Sequence, residues 1–494
     1  MKYFSLLFLL VCVQSFSQNV SLRWSDKFKS NGNEVIVGGK SGNYYTRNTT
    51  KDNNLIFKTF DDKAVLRKES DADFKLAKIE YEYVKNYFLG KDIIHILSEH
   101  KRKKKTLSIY ASKTNKDFEP IDETMVLSEV NYKDMVKYGV KMSPDSTKIV
   151  VWTELKGKKK SKPNSIEYKI FDTKLKNVLK EKTVILPQNA EDMRVYNCLI
   201  DDYLNFYVNS QITKPKKEQK KEESETYYSV FVYGKNDELK NIACDYKNKF
   251  IDSYYLNITK DNTLICTGFL SPIIKGFLKS KKREMVSDEI FIVKNDCKTL
   301  AEKENKVISV SSLYPEKVSK VSEYVPYKVR EVHELNDGSL SIVAEQYKAV
   351  YHSGYKGNGY FVYYYCDIAV INLDNKSQVK GMVKIPKYQQ DVRNPSLLTT
   401  TYKGKTYVVY EDETKNDNVN TDKEIKKSTS SIFSRDKNNS LFLVTVNAKG
   451  EMKKEIIYSY DKSEIRSNFS KCEVIKDGEI MLNANDYIGI LKIK

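Results

Sequence analysis

Residues 143–152 read SPDSTKIVVW. Ser-Pro-Asp-Ser is turn chemistry: Pro fixes φ near about −65°, and the Asp side chain can accept from amides just beyond it. It runs straight into the apolar strand Ile149–Trp152. The same event, a short polar turn and then a strand, recurs in NYFLGKDIIHILSEH, NCLIDDYLNFYVNS, NITKDNTLICTGF, HELNDGSLSIVAEQY, TTYKGKTYVVYED and EVIKDGEIMLNAND, with a weaker copy in VIVGGKSGNYYTRNT. The turns centre near residues 41, 90, 145, 202, 261, 337, 404 and 477. From the turn near residue 90 onward they stand roughly 55–76 residues apart, and self-similarity at a long period signals a repeat architecture.

A second hairpin follows most of these turns, in LIFKTFDDKAVL, YKIFDTKLKNVL, FVYGKNDELKNI, IFIVKNDCKTL, IAVINLDNKSQVKG and LVTVNAKGEMKKE. Asp, Asn and Gly supply the turn conformations that tight hairpins need. Two hairpins per period give a four-stranded antiparallel unit with strands A, B, C and D. The runs KIVVW, IFIVK and FVYYYCDIAVI are almost wholly apolar rather than alternating, so both faces of these strands are covered. With no amphipathic helix available as cover, sheet must pack on sheet. The predicted fold is all-β: a single β-propeller of four-stranded antiparallel blades, eight by the count of turns and seven as the alternative, because the first unit is weak.

The last unit, about residues 467–494, has strands A, B and C but no D. The segment 19–24, NVSLRW, is expected to supply the missing strand beside 479–494 and close the ring, which removes two open sheet edges. Ahead of it, Lys2 and the apolar stretch Phe4–Val13 read as a signal peptide, too short to span a bilayer. Ser15-Phe16-Ser17 places cleavage after Ser17, leaving residues 18–494 as the propeller. Val11 stands where a lipobox needs a small residue before Cys12, so cleavage without lipidation is expected. The chain is therefore expected to be exported, in the periplasm or associated with the outer envelope, with no transmembrane segment.

SPDSTKIVVW resembles the Ser-Pro-Asp-Gly turn of TolB-like propellers, a turn also present in the propeller domains of prolyl-oligopeptidase-type peptidases. Ser146 stands where that pattern has Gly, and only this copy is close. VIVGGKSGNYYTRN, SPDSTKIVVW, CTGFLSP…KG, DGSLSIVAEQY and VKIPKYQQD together resemble an uncharacterised family of exported bacterial β-propeller proteins. The resemblance implies a fold and carries over no catalytic residue.

Motifs for chemistry are sparse. The nucleophile elbow G-x-S-x-G, HExxH, the P-loop and GxGxxG are all absent. Neither the later cysteines (Cys198, Cys244, Cys266, Cys297, Cys366, Cys472) nor the four His (His95, His100, His333, His352) fall at metal-ligand spacing. Thiols inside runs such as YYYCDIAV read first as small buried hydrophobes. No cofactor is implied.

Charge is the clearer signal. The formal net charge is +18, and it clusters in the loops between strands B and C. The loop of blade two carries Lys101, Arg102, Lys103, Lys104 and Lys105. That of blade three carries Lys156, Lys158, Lys159, Lys160 and Lys162, and that of blade five Lys275, Lys279, Lys281, Lys282 and Arg283. Because blade strands alternate in direction, all B–C loops open on one face. Such loops can be simply solvated hairpin tips, or a basic rim that draws in an anionic envelope component or an acidic protein. Nucleic acid is not expected, because no aromatic platform interleaves with the lysines. A second cluster is aromatic: Tyr347, Tyr351, Tyr355, Tyr360, Phe361, Tyr363, Tyr364 and Tyr365, with His352. Tyr suits half-buried strands, and sugars stack on such rings. The function expected from these features is a non-catalytic binding or scaffold propeller with a basic rim. The alternatives are a glycan- or peptide-acting enzyme with its site at the propeller mouth, which a convergent charged cluster there would favour, and a structural subunit whose partner covers one face.

Overall fold

The structure, a computed structural model, describes residues 20–30, 34–49, 55–71, 81–101, 103–131, 134–219, 223–275, 281–283, 286–314, 325–353, 359–390, 397–419, 425, 428–429, 439–461 and 463–494. Residues 1–19, which include the expected signal peptide 1–17, and Arg102, Lys279 and Tyr355 lie outside them. Eight antiparallel blades form an eight-bladed β-propeller. Blades one to seven span 35–71, 81–131, 135–189, 193–244, 249–309, 327–390 and 397–459. The eighth combines 473–493 with Val20–Trp24. Val20–Trp24 lies antiparallel to Ile488–Ile493, with Val20 opposite Ile493 and Trp24 opposite Gly489.

The turns explain the repeat. Every A–B turn holds a residue in the left-handed region: Gly42, Gly90, Ser146, Leu204, Asn262, Gly338, Gly404 and Gly478. Ser146, at φ +58°, thus takes the conformation that the Ser-Pro-Asp-Gly pattern assigns to Gly. Asp145 makes this affordable by accepting from the Ser143 hydroxyl (2.6 Å), the Thr147 hydroxyl (2.7 Å) and the Thr147 amide (2.9 Å). Partial burial pushes the Asp145 carboxyl up, but these hydrogen bonds outweigh it and hold the carboxyl well below its ordinary range. Side chains then link turn to turn: the Asp145 amide donates to Asp202 (3.0 Å), and the Asp202 amide donates to Asn262 (3.1 Å). The C–D turns repeat the device with Ala64, Phe118, Leu175, Asp237, Leu300, Ser377 and Gly450. All the tight turns therefore share one face, here the turn face. The B–C loops and the D-to-A connections share the other, the loop face.

Middle strands are buried on both sides, as in Ile149–Glu154 and Ile290–Asn295. Each gap between adjacent blades holds its own apolar cluster, including one between blades eight and one built on Phe28, Ile36, Tyr44, Phe60, Met481 and Ile490. The two Trp play matching parts. Trp152 lies over the cross-strand Gly139 and Trp24 over Gly489; a Cβ on either glycine would come within 2.7 Å of the indole. Among the described residues, all six cysteines are unpaired, and four (Cys198, Cys244, Cys266, Cys297) are buried. Burial pushes the Cys198 thiol up, which makes it inert. No helix among the described residues is long and apolar enough to cross a membrane.

Candidate functional site

The basic loops all sit on the loop face, but they differ in how much charge they leave exposed. In blade two the hairpin between Asp92–Lys101 and Thr106–Asn115 turns through Lys105 at φ +57°. Lys103, Lys104 and Lys105 are exposed. Lys101 is bound by Glu129 (2.9 Å) and Glu99 (3.6 Å). Hydrogen bonding to Glu129 raises the Lys101 pKa, so its charge is partly neutralised within the blade. In blade three, Lys156, Lys158, Lys159, Lys160 and Lys162 are all exposed. The loop that carries them is pinned to its surroundings by backbone hydrogen bonds. The Lys156 amide donates to Asp134, and the carbonyls of Lys162 and Lys160 accept from Ala190 and Glu191. The Gly157 amide donates to Asn164 (2.9 Å), whose side chain in turn donates to the buried Glu154 (2.8 Å). A loop fixed in this way presents its lysines with little ordering cost on binding. In blade five, Lys281–Arg283 pairs antiparallel with Ile273–Lys275 and extends strand B outward. Between blades three and five the arc weakens, because Lys214 of blade four is held by Asp245 (3.0 Å) and Glu223 (3.5 Å).

A second constellation lines the centre. The residues five before the left-handed residue of each A–B turn include Lys85, Lys141, Asn257, His333, Thr399 and Glu473. All lie on innermost strands, and ring closure brings them together. His333 Nε2 lies 2.8 Å from the Thr399 hydroxyl, across adjacent blades. Burial lowers the Lys141 pKa, aided by Lys85 and opposed by Glu331 on a blade across the channel. Glu473 is reached by water, yet the channel walls remove enough of it to push its carboxyl up, against the pull of Lys85. Two residues nearer the loop face, the Tyr255 hydroxyl donates to Glu331. The channel therefore carries charge of both signs at defined levels.

The most deeply buried charges lie between blades six and seven on the loop-face side. Lys387 and Glu345 are both fully buried and bonded to each other, and Arg330 Nη2 reaches Glu345 at 2.6 Å. Nearby, burial pushes the Asp412 carboxyl up to about 7, against the amide of Glu413, the Asn416 side chain, Lys387 and Lys454. Between about pH 4 and 7 the folded chain then holds a proton that the unfolded chain has released, so stability falls as pH rises through that window. Asp412→Asn should abolish this component. Melting temperatures measured from pH 4.5 to 8 should show the variant gaining on the parent as pH rises; parallel curves would mean that Asp412 titrates as an ordinary carboxylate.

On the turn face a pocket of about 520 Å³ lies between blades five and six. Several of its lysines are ion-paired, with Lys306 and Lys294 on Glu304 at 2.6 and 3.0 Å and Lys303 on Asp296 at 3.0 Å. Among the described residues no group of three His, Cys, Asp or Glu could hold a metal ion.

No family model matches the chain, and the comparison with curated proteins gives no match. Among solved structures, the WD40 domain of SCAP from fission yeast is similar at 9% identity, covering 96% of this chain and 98% of that one, with a TM-score of 0.39. The β-propeller domain of the Trilobed protease from Pyrococcus furiosus is similar at 13% identity over 88% and 99%, with a TM-score of 0.37. The BP39L lectin from Burkholderia pseudomallei is similar at 8% identity over 89% and 99%, with a TM-score of 0.34. Nothing about ligand or activity passes from them to this chain.

Proposed function

We propose that the chain is an exported, non-catalytic binding propeller whose loop face takes an anionic partner. The observation that carries this is the exposure of Lys103–Lys105 and of Lys158, Lys159, Lys160 and Lys162 on neighbouring loops, the second of them pinned by backbone hydrogen bonds. Each exposed lysine contributes about 1 kcal/mol or less near an anionic surface, so the attraction is collective. It fades as salt shortens the Debye length from about 10 Å at 0.1 M to about 3 Å at 1 M. Replacing Lys158, Lys159, Lys160 and Lys162 by Ser should leave the melting temperature within a degree or two and lower the salt needed to elute the protein from a heparin column. Elution at the parent's salt concentration would mean that the blade-three loop takes no part in the attraction. The enzymatic alternative has the converging channel charges in its favour. Shortening of polygalacturonate chains by the protein, lost in Glu473→Gln, is the result that would establish it.

A further inference from the structure

The B and C strands of blade six, Leu340–His352 and Tyr360–Leu373, are 13 and 14 residues long. Strand D, Val379–Ile385, pairs only with Ile368–Leu373. Beyond that level Tyr327 still lies opposite Gln346, the Tyr347 amide donates to Pro326, and Gln389–Gln390 lies beside Tyr364 and Tyr365; farther toward the loop face the hairpin has no other strand beside it among the described residues. Strand alternation and the register, Tyr347 opposite Tyr365 and Tyr351 opposite Phe361, put Tyr347, Tyr351, Phe361, Tyr363 and Tyr365 on one side. Their rings make an unbroken ladder. Centroids are 5.1 Å apart from Tyr365 to Tyr347, 6.4 Å from Tyr347 to Tyr363, 6.3 Å from Tyr363 to Phe361 and 5.1 Å from Phe361 to Tyr351. Exposure climbs along it, from 6% at Tyr365 to 52% at Phe361 and 56% at Tyr351.

Tyrosine in a half-buried strand is ordinary; a graded ladder whose outer rings are more than half exposed is not what solvation alone selects. At its root Arg330 sits 5.3 Å from the Tyr347 ring and 5.9 Å from that of Tyr365. The basic loops open on the same face of the ring. We propose that the ladder seats a polysaccharide chain bearing carboxylates. The C–H faces of its sugars lie along the aromatic rings, at steps comparable to one sugar residue, and its carboxylates meet the loop-face lysines. Apolar stacking gives orientation, and the lysines give attraction at distance. The inference rests on the anionic-partner reading and narrows it to one class of anion.

Two probes separate the two claims: a polygalacturonate oligomer, which has both rings and charge, and inorganic polyphosphate, which has charge alone. Binding of each to the full chain is measured at 0.1 M and 1 M salt. Tyr351→Ala/Phe361→Ala should weaken polygalacturonate binding about tenfold or more, leave polyphosphate unchanged, and remove most of the binding that survives high salt. Tyr351→Phe should bind as the parent does. The single variants Tyr351→Ala and Phe361→Ala, each costing severalfold, serve if the double variant folds poorly. Polygalacturonate binding untouched by these variants overturns the ladder while salt-sensitive polyphosphate binding keeps the basic face. Equal loss of both probes also overturns the ladder as a sugar seat. No binding of either probe at low salt overturns both claims.

Discussion

A chain that begins at Ser25, lacking Val20–Trp24, is expected to melt at a markedly lower temperature than the parent and to aggregate near its transition. The segment is strand D of blade eight, and its loss exposes the whole edge of Ile488–Ile493, which invites pairing with other chains. Val20, Leu22 and Trp24 pack on the cluster shared with blade seven, where Trp24 lies 5.3 Å from Tyr458. These side chains are only partly buried, so their removal should cost about 3–5 kcal/mol. The chain-end contact also closes the ring, and Ser25 and Phe28 extend it by donating to Ile488 and Asp486. Thermal and urea unfolding measure the effect. Gly489→Ala, whose methyl would drive into the Trp24 indole, should reproduce part of it. Unchanged stability of the truncated chain would mean that blade eight does not depend on this strand.

The second large effect is expected at the buried pair between blades six and seven. Lys387→Met should destabilise the chain by about 3–5 kcal/mol, because it takes the ammonium away from the fully buried Glu345 carboxylate. The double variant Lys387→Met/Glu345→Gln should recover much of that loss, since Arg330 is 28% exposed and keeps contact with water. Denaturant midpoints of parent, single and double variants form the test. Lys387→Met alone at the parent's midpoint would show that the pair contributes nothing. This cluster lies at the root of the aromatic ladder, with Lys387 Nζ 5.9 Å from the Tyr365 ring, so its stability sets the footing of the proposed ligand seat.

The fold was legible because hairpin chemistry is local. All eight A–B turns fall where polar turn residues interrupt apolar runs, and the apolar runs of the middle strands meant burial on both sides. What hid the regularity is visible at three turns. The left-handed position is Gly in five blades, but Ser146, Leu204 and Asn262 fill it in the others, so no single motif repeats. The C–D hairpin of blade two, which turns through Phe118, escaped notice for the same reason.

The site was less legible. Loop lysines announce themselves as runs, but a run does not show that Glu129 neutralises Lys101. The channel set was missed altogether. Lys85, Lys141, His333 and Glu473 are far apart in sequence, and only ring closure gathers them. One signal was available: each stands five residues before the left-handed residue of its turn, so aligning the blades on that residue rather than on the turn's composition would have placed them at one level. The aromatic cluster of blade six was visible as composition. Its order as a ladder depends on register, which the bulge between Glu345 and Tyr347 shifts by one residue.

Lysine acetylation footprinting of the full chain, with and without bound polygalacturonate at low salt, shows whether the loop face or the turn face meets an anionic partner. Lys103, Lys158 and Lys160 are exposed on the loop face, and Lys63, Lys174 and Lys298 are exposed in C–D turns on the turn face. With the partner on the loop face, the first three are protected by the polyanion and the last three are modified at an unchanged rate. Equal protection of both sets, or protection of the turn-face lysines alone, would contradict that placement.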